Sequence, residues 1–216
     1  MSFIDNSVEQ SKFLMSEAVK LIPNIKIRNA VKDFLDTRVP DYFWLIAATS
    51  TGLNHPTFSK SICGLVRHTV VAANYAANLY NSKIVYSLFA PFSREDLSFV
   101  LAAILLHDTF KLGYKDNGRT VYSHGSIAAD EFYDFATKET TIEKDDIKII
   151  CDAISSHMGR WGRNQPESHI DKFVSLCDYL SAQKEMERFY DTSKLNVIDN
   201  YESDCAKFIN FSNNDE

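Results

Sequence analysis

Glycine and proline are scarce in this chain, 7 and 5 among 216 residues, and the alternation of β-branched residues that marks strands is nearly absent. Both shortages count against a β-rich fold. Cysteine is scarce too. Cys63, Cys151, Cys177 and Cys205 form no CxxC pair and no zinc-finger spacing. Cys151 and Cys177 lie among apolar residues, where a free thiol behaves as a small hydrophobe. All four read as reduced thiols in a reducing compartment. The longest apolar run, 99–106, is far too short to cross a bilayer, so no membrane role is expected. Basic residues are not in excess: the net charge is −6, which argues against a wholesale nucleic-acid coat or a basic membrane-surface protein. The start, Met1-Ser2-Phe3-Ile4-Asp5, lacks a basic stretch followed by an apolar one, so no signal peptide is expected and the cytoplasm is the expected compartment. There is no repeat, no low-complexity stretch, no Walker loop, no GxGxxG, no GxSxG elbow and no kinase set.

What is present is apolar spacing of three and four over most of the chain, which predicts an all-α protein. The length suits one domain with extensions and allows a substantial core. Helices are expected within 8–22 and 25–39, with Pro23 and Pro40 as breaks. A turn-rich loop over 49–60 precedes a helix from Ser61 toward Tyr80, and a short helix is expected over 84–89. Ser93 is the expected N-cap of a helix reaching Lys111, stopped by Gly113. Further helices are expected over 123–136, from Thr141 or Glu143 to His157, and over 168–182, with one or two more before a frayed polar end. This divides the chain into an N-terminal helical extension (1–55), a core (56–185) and a C-terminal helix and tail (186–216).

Four of the six histidines fall in one series: His68, His107-Asp108, His124, His157, Asp178. His68 shares a helical row with Leu65, Ala72 and Tyr75, and His107 follows Val100 and Ile104. His157 continues Ile147, Ile150 and Ile154, and Asp178 shares a face with Val174, Cys177 and Ser181. His124 stands at a helix start. A single inward histidine is usually a hydrogen-bonded core residue. Inward imidazoles and carboxylates on five helices are instead expensive unless something pairs with them, and borderline divalent metals prefer those ligands. His55 and His169 stand outside the series and read as surface residues.

The order His … His-Asp … His … His … Asp resembles the HD-domain superfamily of metal-dependent phosphohydrolases. The doublet lies in Leu105-Leu106-His107-Asp108-Thr109-Phe110-Lys111. The first histidine lies in Gly64-Leu65-Val66-Arg67-His68-Thr69 and the last aspartate in Cys177-Asp178-Tyr179-Leu180-Ser181-Ala182. The resemblance covers roughly 56–183 and implies an HD-domain helical bundle with N- and C-terminal helical extensions. It implies one metal on His68, His107, Asp108 and Asp178. As in the binuclear branch, a second would sit on His124 and His157, with Asp108 bridging. The ions would be two divalent transition metals (Fe, Mn, Ni, Co or Zn). Lys111 matches the family's HDxxK lysine, which contacts phosphate or activates the leaving group; a cation at a helix C-terminus is the plainer reading. Phe110 departs from relatives that carry glycine there, and the HD-GYP signature of cyclic-di-GMP phosphodiesterases is absent.

The implied activity is hydrolysis of a nucleotide or nucleic-acid phosphoester by a metal-bridging hydroxide, as a phosphodiesterase with a nucleotide or nucleic-acid 3′ end as substrate. Asp108 and Lys111 are the catalytic candidates. Arg67, Arg119, Arg160 and Arg163 are candidate phosphate ligands beside Lys111, with a solvated helix position as the alternative for Arg67. Trp161 either stacks a base or packs on the core. An HD-type di-iron oxygenase and a non-catalytic nucleotide-binding module are the alternatives, and a homo-oligomer stays open.

Overall fold

The structure, a computed structural model, describes residues 3–49, 55–82 and 92–184. It is all-α: α1 (Phe3–Val19), α2 (Ile25–Thr37), α3 (Gly64–Asn81), α4 (Arg94–Leu106), α5 (His124–Glu139), α6 (Lys144–Ser156) and α7 (His169–Ser181), with no strand among the described residues. The helices expected over 84–89 and beyond 185 lie outside the described residues. No described helix is long and apolar enough to cross a membrane.

Local chemistry sets the helix starts. Asn24 accepts from the amides of Lys26 and Ile27 to open α2, and reciprocal capping boxes, Ser93 with Asp96 and Ser168 with Asp171, open α4 and α7. Each such cap contributes about 1 kcal/mol. Helix α4 is apolar on every face from Leu97 to Leu106 and is buried throughout that stretch, which makes it the central helix. Around it pack α1, α2, α3, α6 and α7. The first two helices share the same continuous core: Ala18 of α1 and Phe34 of α2 are fully buried, and Phe34 meets Phe132 and Phe135 of α5 edge-on at 5.4 and 5.5 Å.

Helix α4 ends at Leu106, not near Lys111. The His107 side chain takes the Ile104 carbonyl through Nδ1 (2.6 Å), and Thr109 takes that of Leu106 through Oγ1 (2.7 Å). Beyond Leu106 the backbone tightens to three-residue turns, Thr109 N to Leu106 O and Lys111 N to Asp108 O. Gly113 closes the segment at φ 84°, a left-handed conformation that favours glycine. Helix α3 likewise begins at Gly64, three residues later than expected. Its start is pressed against the Ser59 carbonyl so closely that a Cβ would lie 2.2 Å from that oxygen.

Candidate metal centre

Five segments converge beneath one cavity. His68 comes from the second turn of α3 and Asp178 from the last turn of α7. His107 and Asp108 stand just past α4, His124 is the first residue of α5, and His157 follows the last residue of α6. Helices α5 and α6 run antiparallel, so the start of one meets the end of the other. That approach needs Gly125, where a Cβ would lie 2.9 Å from His157 Cε1 and 3.0 Å from the Ile154 carbonyl.

All four imidazoles are oriented alike. His107, His124 and His157 each place Nδ1 on the carbonyl three residues back, Ile104 (2.6 Å), Val121 (2.7 Å) and Ile154 (2.7 Å). The first and third of these carbonyls belong to the last turn of a helix, where intrahelical partners run out. His68 sits within α3 and has no such carbonyl. Its Nδ1 instead meets Ser181 Oγ at 3.1 Å, whose own hydrogen goes to the Asp178 carbonyl (2.8 Å). Carbonyls only accept, so Nδ1 carries the hydrogen and Nε2 presents a lone pair inward.

Those inward nitrogens meet carboxylate oxygens and one another. His68 Nε2 is 2.9 Å from Asp178 Oδ1. His107 Nε2 is 3.4 Å from that oxygen and 3.5 Å from Asp108 Oδ2. His124 Nε2 is 3.0 Å from Asp108 Oδ1 and 3.1 Å from His157 Nε2. His107 Nε2 and Asp108 Oδ1 are buried without a hydrogen-bond partner among the described residues, a condition that costs about 1–3 kcal/mol per atom. Lone pairs facing lone pairs require a positive charge between them. Donor atoms of His68, His107 and Asp178, and of His107, Asp108 and His157, lie within 4.8 Å of one another. Imidazoles and carboxylates in that arrangement fit divalent transition metals.

Electrostatics agrees. Burial opposes charge on His107, but the Asp108 and Asp178 carboxylates outweigh it and push its pKa up to about 10. Burial, with the neighbouring His107 and His124, pushes His157 down to about 3. Burial also opposes charge on Asp108 and Asp178. Lys111 and His107 nevertheless hold the first well below the usual carboxylate range, and His107 and His68 hold the second there. The centre is built for positive charge, which a proton or a bound cation supplies.

The cavity above has a volume of about 570 Å³. Lys111 reaches its floor and donates to Asp108 Oδ2 at 2.5 Å. The backbone just after Lys111 is held by Tyr42, whose hydroxyl donates to the Gly113 carbonyl (2.5 Å) and accepts from the Leu112 amide (3.2 Å). At the rim, Trp161 and Tyr179 stack at 5.8 Å and 13°, 52% and 43% exposed, and Arg160 lies 4.2 Å over the indole. Trp161 therefore does not pack on the core. Arg119, Arg160 and Arg163 are exposed and do not line the cavity, although Arg160 touches the rim through Trp161.

Other expectations also need correction. Arg67 is neither solvated nor in the cavity. It is buried and donates to the Phe58 carbonyl, Ser61 Oγ and the Ile62 carbonyl, holding the loop ahead of α3. His55 is not a surface residue: it lines the cavity, its ring 5.5 Å from that of His68. His169 is half-buried against Phe92 and lies away from the cavity. Sequence reasoning also missed Gly125, Tyr42 and the partnership of Tyr179 with Trp161. Ser181 shares the helical face of Asp178, a signal that could have flagged it.

A family model described as HD domain matches residues 65–183, more than half of the chain. No curated protein and no solved structure gave a match.

Proposed function

The chain belongs to the HD-domain family, a superfamily of metal-dependent phosphohydrolases, and from that premise we propose that it hydrolyses a phosphoester of a nucleotide or of a nucleic-acid end, as a phosphodiesterase. The observation that carries this reading is the uniform orientation of four imidazoles, Nδ1 tied outward and Nε2 turned onto two carboxylates. His68, His107, Asp108 and Asp178 would hold one divalent ion, and Asp108, His124 and His157 a second. Bound there, such ions supply a Lewis acid and lower the pKa of water enough for hydroxide near neutral pH.

The protein's own groups do the rest. Lys111, tethered to Asp108, presents a cation to the phosphoryl oxygens and offsets charge that develops on them or on the leaving oxygen. The frame carbonyls and Ser181 keep each imidazole in the tautomer that can bind metal. Burial of the floor strengthens every charge interaction made there. The Trp161–Tyr179 stack, with Arg160 above it, offers π-faces and a cation to a nucleobase at the cavity mouth.

The test is metal analysis of the purified protein, followed by phosphate or nucleotide release from a nucleotide and oligonucleotide panel with and without O₂. About two ions per chain and O₂-independent cleavage are expected. Turnover that requires iron and O₂ and releases no phosphate would replace this reading with an oxygenase. Absence of metal under every loading condition would leave a binding module.

A further inference from the structure

His55 has no place in the ligand set, yet it stands in the same cavity. It leads into the short helical turn Thr57–Ser59 ahead of α3, and its ring is tilted 59° to that of His68. Its Nδ1 is buried and has no hydrogen-bond partner among the described residues. His107 Nε2 and Asp108 Oδ1 are in the same condition, and a metal answers for both. His55 belongs to neither group of close metal-donor atoms among the described residues, so a metal does not answer for it.

The loop that presents His55 is held in place. Pro56 restricts the His55 backbone to extended conformations. Arg67 reaches back from α3 to the Phe58 and Ile62 carbonyls and Ser61 Oγ, and the Ala48 amide donates to the Ser59 carbonyl at 2.9 Å. The buried arginine thus braces the segment that carries the unpartnered imidazole. Lys111, Asp108 and Asp178 line the same cavity as His55. A ring nitrogen on a braced loop, beside a cation and the metal-type ligands, suits an oxygen-rich anion that bridges them.

We propose that His55 is a substrate-binding residue whose ring N–H donates to a non-bridging oxygen of the phosphoryl group held over the ligand cluster. Arg67 is the positioning residue that keeps its loop in place. The proposal rests on the phosphohydrolase reading and adds to it a residue outside the family-model match, which begins at residue 65.

The experiment uses the full chain loaded with Mn²⁺. Metal content and calorimetric binding of inorganic phosphate are measured for the wild type and for His55→Ala, His55→Phe and His55→Asn, with circular dichroism to establish folding. The asparagine keeps an N–H close to the Nδ1 position, whereas phenylalanine keeps only the ring. Metal content should be the same in all four proteins. Phosphate binding should weaken about tenfold in the alanine and phenylalanine variants and return toward wild type in the asparagine variant. Loss of metal from His55→Ala would make His55 a ligand and overturn the proposal. So would unchanged phosphate binding in His55→Ala, or wild-type binding in His55→Phe, which would reduce the residue to packing. A wild type that holds metal yet binds no phosphate and cleaves no phosphoester would fail differently, taking the phosphohydrolase reading and this proposal down together.

Discussion

At the bottom of the cavity, His107, Asp108, His124 and His157 are buried, and each imidazole is tied to a backbone carbonyl. At the mouth, Arg160, Trp161 and Tyr179 are exposed and lean mainly on one another. The bottom is assembled at helix ends, where backbone carbonyls of Ile104, Val121 and Ile154 aim the imidazoles, so its geometry is inherited from the backbone. The mouth depends on exposed side chains that stack on one another. Reaction chemistry needs placement to within fractions of an ångström, which suits the first construction; recognition of varied substrates suits the second.

If that contrast is right, damage should be severe at the bottom and graded at the mouth. Asp108→Ala removes the carboxylate shared by His107, His124 and Lys111. Metal binding and activity should disappear while circular dichroism stays helical; retention of both metal and activity would sink the site. Ser181→Ala frees the His68 Nδ1 and should weaken metal binding about 10–100-fold, read by competition with a chelator. Gly125→Ala should cost about 1–3 kcal/mol of stability in thermal or denaturant unfolding, because the new methyl meets His157 and the Ile154 carbonyl. It should also lower metal affinity, which an effect of helix propensity alone would not do. Trp161→Ala should leave metal content untouched and raise KM for a nucleotide substrate about tenfold, from the loss of one stacking surface. A matching loss of metal there would erase the distinction between mouth and bottom. The smallest effect concerns Cys151, packed behind the site on α6 with its thiol on the Ala129 carbonyl (3.3 Å) and its pKa pushed up to about 12 by burial. The group stays protonated at pH 8, since its pKa lies above that pH. It should therefore react with a thiol reagent only after denaturation.

Much of this was legible in the chain. The expected helices match α1 to α7 in number and order over the described residues, because apolar spacing, Ser93 and Ser168 are local signals read one helix at a time. The six residues of the histidine and aspartate series converge, since each lay on or next to an inward row. Less was legible where direction matters. Arg67 lies one residue from His68, and its long side chain turns back to the preceding loop, so its neighbour in sequence was a poor guide to its role. His55 carries no helical periodicity, because it stands on a loop. The need for Gly125 depends on how close α5 comes to the end of α6, which is a property of two helices together.

The sequence by itself determined the helices, the core they bury and the identity of the polar residues sent inward, because capping and apolar periodicity act within a few neighbouring residues. Only the tertiary structure decided that Ser181 aims His68 from another helix, that α5 comes close enough to His157 to need Gly125, and that His55 enters the cavity. Those outcomes depend on distances between segments up to 113 residues apart, as between His68 and Ser181. No local rule sets such distances; the packing of all seven helices does.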